Sequence, residues 1–96
     1  MPSPNVLESS IERSVVTWAR NHGIQATKLQ GIGNRSMPDR IFWVNGGKPI
    51  LVEFKSPNGK LTPLQRIAIL KFTERGYEVH VISSREEGIA VLAQHV

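Results

Sequence analysis

The 96-residue sequence predicts an α/β fold in which helices pack on a mixed β-sheet. Three observations lead there. Apolar residues at spacings of three and four (Leu7, Ile11, Val15, Trp18, Ala19) mark a helix early in the chain. Two strand-like stretches, residues 39–44 and 49–55, flank Asn45-Gly46-Gly47, a hairpin signal. The second of these stretches is joined to an alternating stretch, Glu78 to Ile82, by a further helical pattern, which is a strand-helix-strand crossover. The order is α-β-β-β-α-β-α, read as a single domain over residues 1–96.

Residues 1–5 are polar with two prolines and read as a lead-in. The first helix covers residues 6–22, with Asn5 as its cap and Gly23 just beyond its end. Glu8 and Glu12 lie beside its apolar stripe, and neither has a cation three or four residues ahead. A favourable place near the positive helix N-terminus suits Glu8 better than Glu12, because that effect fades within a turn. Residues 24–29 read as a short strand. Residues 30–37 form a loop, either a connector or a flap over substrate.

In the next strand, Asp39, Ile41 and Trp43 share one face, and Arg40, Phe42 and Val44 share the other. After the turn, Ile50-Leu51-Val52 is a continuous apolar run, the mark of a central strand buried on both faces. A loop follows, and Thr62-Pro63 opens the second helix with proline at its favoured first position. Leu64, Ile67, Ala68 and Phe72 give that helix a buried stripe, and Gly76 ends it. Ser83 or Ser84 caps the last helix, with Glu86 or Glu87 completing a capping box. Ile89, Leu92 and Val96 mark its apolar side. Trp18 and Trp43 sit on apolar faces and are assigned to the core.

The central strand ends in two charges that its apolar start does not explain. Glu53 and Lys55 are two apart and share a face, and neither residue type is buried without a partner or a task. The hairpin brings the start of one strand beside the end of its partner, so Asp39 meets Glu53 and Lys55. Two adjacent carboxylates resist double ionisation unless a cation lies between them. Oxygen ligands suit Mg²⁺ or Mn²⁺, and the backbone carbonyl of Phe54 can complete part of the shell. A bound water becomes a better nucleophile, and Lys55 stands beside that water or beside the phosphoryl oxygen that gains charge. Glu12 can reach over from the first helix to a metal-bound water or a second ion. The set suits phosphodiester hydrolysis.

Composition narrows the partners. Twelve lysines and arginines against eight acids give a net charge of +4, which favours an anionic partner, nucleic acid first. The absence of cysteine excludes disulfides, thiolate metal sites and a cysteine nucleophile, and fits a reducing compartment. No apolar run is long enough to span a membrane, and no signal peptide is expected. His22, His80 and His95 show no metal-ligand spacing.

Pro38-Asp39 followed by Glu53-Phe54-Lys55 resembles the PD-(D/E)XK nuclease motif, and the element order is similar to that superfamily's restriction-endonuclease-like core with an added C-terminal helix. Glu8-Ser9-Ser10-Ile11-Glu12, Pro38-Asp39-Arg40, Val52-Glu53-Phe54-Lys55 and Pro63-Leu64-Gln65 together resemble the virus-type replication-repair nuclease (VRR-NUC) family. The likeness covers most of the chain. It implies a Mg²⁺- or Mn²⁺-dependent endodeoxyribonuclease, a homodimer, and a preference for branched DNA such as Holliday junctions, in replication, repair or recombination. It implies that Asp39 and Glu53 bind metal, that Lys55 is catalytic, that Glu12 is the acid of the first helix, and that Gln65 supports the site. Ser36 stands where the family commonly has glycine.

Gln65 has a rival role as the glutamine of a Thr62-Pro63-Leu64-Gln65 capping box, and Glu8 competes with Glu12 as the helical acid. Lys28, Arg35, Arg40, Lys60 and Arg66, near the catalytic end, are expected to touch phosphates, whereas Lys48 and Lys71 are solvated. The expected location is the cytoplasm of a bacterium or a phage-infected cell. The alternatives are a DNA-binding module that keeps the nuclease fold without cutting, and a subunit of a larger complex.

Overall fold

The computed structural model describes residues 4–29 and 36–96. Elements follow in the order α1 (Pro4–Asn21), β1 (Gln25–Lys28), β2 (Arg40–Trp43), β3 (Ile50–Phe54), α2 (Pro63–Glu74), β4 (Glu78–Ile82) and α3 (Arg85–Ala93). The four strands form one sheet in the order β1-β2-β3-β4. The β1–β2 and β2–β3 pairs are antiparallel, and β3 and β4 are parallel. This is the mixed sheet expected from a hairpin joined to a crossover.

All five residues of β3 are buried. Its even-numbered side chains, Ile50, Val52 and Phe54, pack with Phe42 and Ile82 against Val15, Val16 and Ala19 of α1 and Leu92 of α3. That side of the sheet is the core, each such side chain contributing about 1.5–3 kcal/mol by leaving water. The opposite side carries Leu51 and Glu53, with α2 beside it.

The turn between β2 and β3 is wider than the tight hairpin turn that Asn45-Gly46-Gly47 suggests. Six residues separate Trp43 from Ile50, and Gly46 and Gly47 both take positive φ angles that other residues rarely adopt. The register nevertheless pairs Arg40 with Val52 and Phe42 with Ile50, so Asp39 falls opposite Glu53. α1 begins at Pro4, which places Asn5 inside the helix instead of at its cap. Ser84 is the cap of α3, with its hydroxyl accepting from the Glu87 amide.

Three packing expectations are corrected. The stripe assigned to the buried face of α2 is not buried: Leu64 is 68% exposed and Ile67 50%, and no residue of α2 is fully buried. Trp43 is 49% exposed and lies on the sheet surface, where its Nε1 donates to Thr27 Oγ1 at 2.8 Å. Trp18 does pack against the core, with the His22 ring stacked on it. In α3 the buried positions are Gly88 and Leu92, while Val96 is exposed. A Cβ at Gly88 would lie 2.5 Å from Cγ2 of Val15, so α1 and α3 approach each other over a glycine.

Candidate active site

Asp39 lies one residue before β2, and its placement follows from the strand pairing. Its amide donates to the Val52 carbonyl at 2.9 Å. Its side chain then turns toward β3, where Oδ2 accepts from the Phe54 amide at 2.8 Å. Glu53 is the next-to-last residue of β3 and is only 3% exposed. Lys55, held by its amide on the Ile82 carbonyl, shares the face of Glu53 and brings Nζ to 3.5 Å from Glu53 Oε2. The aspartate, glutamate and lysine singled out in the sequence therefore converge at one end of the β2–β3 pair.

Gln65 fills both of the roles the sequence left open. Its Oε1 accepts from the Thr62 amide at 2.9 Å, and its own amide donates to Thr62 Oγ1 at 3.1 Å, completing the capping box. Its Nε2 donates to Glu53 Oε2 at 3.0 Å. The start of α2 is thereby tied to the buried carboxylate.

The electrostatics of the pair are those of a buried and a half-buried acid on facing strands. Burial, reinforced by the Asp39 carboxylate, pushes Glu53 up to about 7, against the lowering pull of Lys55. Burial also raises Asp39; the Phe54 amide opposes this, and Glu12 and Glu8 add to it. A cation beside the carboxylates would offset the repulsion that Asp39 adds at Glu53. Among the described residues, no hydrogen bond engages Asp39 Oδ1 or Glu53 Oε1. Each carboxylate thus keeps an oxygen for a ligand. No three acidic or imidazole side chains cluster as a ready cation cage among the described residues. Two carboxylates meet the demand of Mg²⁺, which retains several waters and takes one or two such ligands.

Glu12 is placed differently from the expectation of a metal ligand. Its Oε2 accepts from Arg40 Nε at 2.7 Å, and both side chains are largely covered. Its charge is felt at Asp39, whereas Glu8 is felt at both Asp39 and Glu53. Of the two helical acids, Glu8 is the one whose field reaches both carboxylates. The sequence could not separate them, because both lie on one side of the helix.

Lys28 and Arg40 lie together beside α1, in a groove that also contains Glu12. Lys60 and Arg66 are exposed at the other side of the site, around the start of α2. Arg35 lies outside the described residues. Lys48, expected to be solvated, donates from Nζ to the Gly76 carbonyl at 3.3 Å. His80 pairs with Glu78 on β4. No described helix is long and apolar enough to cross a membrane.

Comparison with known proteins gives three findings. The VRR-NUC domain family matches residues 4–86. “Putative nuclease p44” of Acyrthosiphon pisum secondary endosymbiont phage 1 is 36% identical over 81 residues, 84% of this chain and 87% of that protein. A solved structure of a VRR-NUC domain superposes with a TM-score of 0.81, covering 94% of this chain and 98% of the other at 23% identity. At that identity the superposition speaks for the fold.

Proposed function

Since the chain belongs to the VRR-NUC family, we propose that it is a DNA endonuclease that hydrolyses phosphodiester bonds with the aid of Mg²⁺ or Mn²⁺. The observation that carries this reading is the meeting of Asp39 and Glu53 across β2 and β3 with Lys55 Nζ 3.5 Å from Glu53 Oε2. Nuclease function itself is supported by the family and by the phage relative.

Asp39 and Glu53 would hold the cation, with the Phe54 carbonyl as a further oxygen and Glu8 or Glu12 contributing through water. A divalent ion bound there supplies charge neutralisation at the phosphate and lowers the pKa of water. The chain's own groups do the rest. The Phe54 amide fixes the Asp39 carboxylate, and Gln65 fixes that of Glu53, so neither has to reorganise as charge develops. Lys55 presents its ammonium where a phosphoryl oxygen gains negative charge.

Branched DNA is the substrate this reading favours, cut by a homodimer. One chain offers one such site, and paired nicks across a junction need two sites related by symmetry. What supports a second copy is the apolar surface on the α2 side of the sheet. Two adjoining grooves share Phe72 and Arg75, and Leu64, Ile67, Ile41, Trp43 and Tyr77 line them. A contiguous apolar surface of this kind marks an interaction site. A cysteine-free chain fits a cytoplasmic setting.

The test is cleavage of linear duplex, flap and four-way junction DNA in Mg²⁺ and in Mn²⁺. Nicks are expected, most on the junction, and chelation should stop them. Glu53→Ala and Lys55→Ala should each lose cleavage by at least about a hundredfold while DNA binding survives. Full activity in either variant, or binding without nicks in the parent protein, would overturn the assigned chemistry.

A further inference from the structure

A second strongly charged region lies on the opposite side of the sheet from α2. Between α1 and the β1–β2 pair runs a groove of about 290 Å³ lined by Ser9, Arg13, Thr17, Arg20, Lys28 and Arg40, with Glu12 and Val16 at its floor. Four cations face one carboxylate there. Among the described residues, Arg13, Arg20 and Lys28 form no ion pair. Unpaired cations on neighbouring elements repel one another, and the fold gains nothing by gathering them. One oxygen of that carboxylate is engaged, with Glu12 Oε2 accepting from Nε of Arg40 at 2.7 Å. No hydrogen bond among the described residues engages either Nη of Arg40.

We propose that this groove binds the sugar-phosphate backbone of a DNA strand outside the cleavage site. The inference rests on the nuclease reading only for the identity of the nucleic acid. Arg13 and Arg20 are seven residues apart on α1, about 10 Å along the helix, which matches the rise of about three nucleotides of a strand. The cations are thus spread along a line, suited to successive phosphates more than to one isolated anion. Thr17 places a hydroxyl donor between them and Ser9 adds one a turn before Arg13, and hydroxyls share phosphate contacts with arginine and lysine at such interfaces. The lining carries no aromatic side chain on which a base could stack. Base stacking is therefore not available there, and the line of cations and hydroxyls suits the backbone, read without regard to sequence.

The groove is continuous with the active site through one peptide bond. Arg40 follows Asp39, and the two side chains point to opposite faces of β2. Glu12, which holds Arg40, is also one of the charges that Asp39 feels. A strand engaged by Arg40 passes the metal-binding end of the hairpin on its way to α1. The groove holds DNA beyond the bond being cut.

The test is the affinity of the intact chain for a labelled DNA duplex in EDTA, followed across a salt series, so that no cleavage intervenes. The double variant Arg13→Ala with Arg20→Ala is compared with Lys48→Ala with Lys71→Ala, which removes the same charge from the α2 side of the sheet, each variant being used at the parent's sedimentation mass. Both replaced arginines are exposed, and alanine is the best helix former, so α1 should persist, as circular dichroism will show. Lys28→Ala supplies a second probe from a different element. Affinity should fall about tenfold or more in the groove variant, and the slope of log K against log salt should shrink by about 2. Lys28→Ala should shrink it by about 1, and the control pair should change little. Equal losses in groove and control variants, or an unchanged slope, would overturn the proposal. Absence of binding by the parent chain would do the same. Parent protein that binds through the groove yet never cuts in Mn²⁺ would instead remove the nuclease reading and leave the groove in place.

Discussion

Gln65 donates from Nε2 to Oε2 of Glu53 at 3.0 Å while its Oε1 caps the helix it belongs to. One amide therefore couples the start of α2 to a carboxylate that, among the described residues, is otherwise held by Lys55 alone. The two halves of the side chain do separate work, and substitutions can separate them.

Gln65→Glu keeps the capping box, since a carboxylate at this helix position accepts from the Thr62 amide equally well. It removes the donor to Glu53 and sets a third acid beside it. The lost hydrogen bond to the buried Glu53 carboxylate should cost about 1–3 kcal/mol of stability with the helix cap intact, while cleavage falls and its pH profile moves upward. Gln65→Ala should lose about 0.5–1 kcal/mol from the cap as well. Equal activity of the glutamate variant and the parent would show that Gln65 is a cap and nothing more.

Asp39 is both a ligand candidate and a structural acceptor, and these roles also part. Asp39→Asn retains an oxygen for the Phe54 amide, so the fold should persist while cleavage drops at least about a hundredfold. Asp39→Ala leaves that partly buried amide without its acceptor and should cost a further 1–3 kcal/mol or so of stability. Chemical denaturation read beside a cleavage assay distinguishes the two. Parent-level cleavage by Asp39→Asn would refute the role of the carboxylate.

Glu53 makes the metal-free protein sensitive to pH in a defined window. Its folded value of about 7 lies above the 4.5 of an ordinary glutamate, chiefly because it is buried and then because Asp39 stands opposite. The folded state thus holds the proton more tightly than the unfolded chain. The resulting stabilisation is complete below 4.5 and is lost as pH rises through about 7. In EDTA, stability should fall by about 2–3 kcal/mol between pH 5 and pH 8 from this group. Glu53→Gln should remove that part of the decline. Divalent binding requires the ionised carboxylates, so affinity should strengthen over the same range with release of a proton. Calorimetry in buffers of different ionisation enthalpy reads the proton directly; its absence would contradict the shift.

The parts of the fold that were legible in the sequence are those set by short-range rules. The register that places Asp39 opposite Glu53 follows from a turn signal between two strands, and it survived a turn longer than the signal suggested because the apolar alternation of Phe42, Ile50 and Val52 fixes the same pairing. Gln65 was readable as a cap from a four-residue pattern, and as site support only through the family resemblance. Side-chain burial in α2 was not legible. Leu64 and Ile67 have helical spacing, but spacing does not say whether this chain itself supplies the opposing surface. The contact between Gly88 and Val15 is likewise a property of two helices meeting, invisible to the periodicity of either. The pairing of Glu12 was not legible for a related reason: its partner Arg40 is 28 positions away and reaches it only after the sheet has formed.

The exposed apolar side of α2 yields the last prediction. Leu64 and Ile67 stand open to water beside the grooves that contain Ile41, Trp43 and Tyr77. Leaving such side chains exposed forgoes about 1.5–3 kcal/mol each on full burial, and a second copy seated there would recover part of it. The chain has a mass of 10.7 kDa, so sedimentation should report about twice that value for the parent protein. Ile67→Glu places a charge in the proposed interface at a position the monomer fold does not bury. It should give the monomer mass with unchanged circular dichroism. Val96→Glu, at an equally exposed apolar residue near the end of the chain, should leave the dimer intact. Junction cleavage by Ile67→Glu should then pass from paired to single nicks, because each isolated chain carries one site. A parent chain that sediments at 10.7 kDa would rule out the dimer, and a dimeric Ile67→Glu would move its interface to another face.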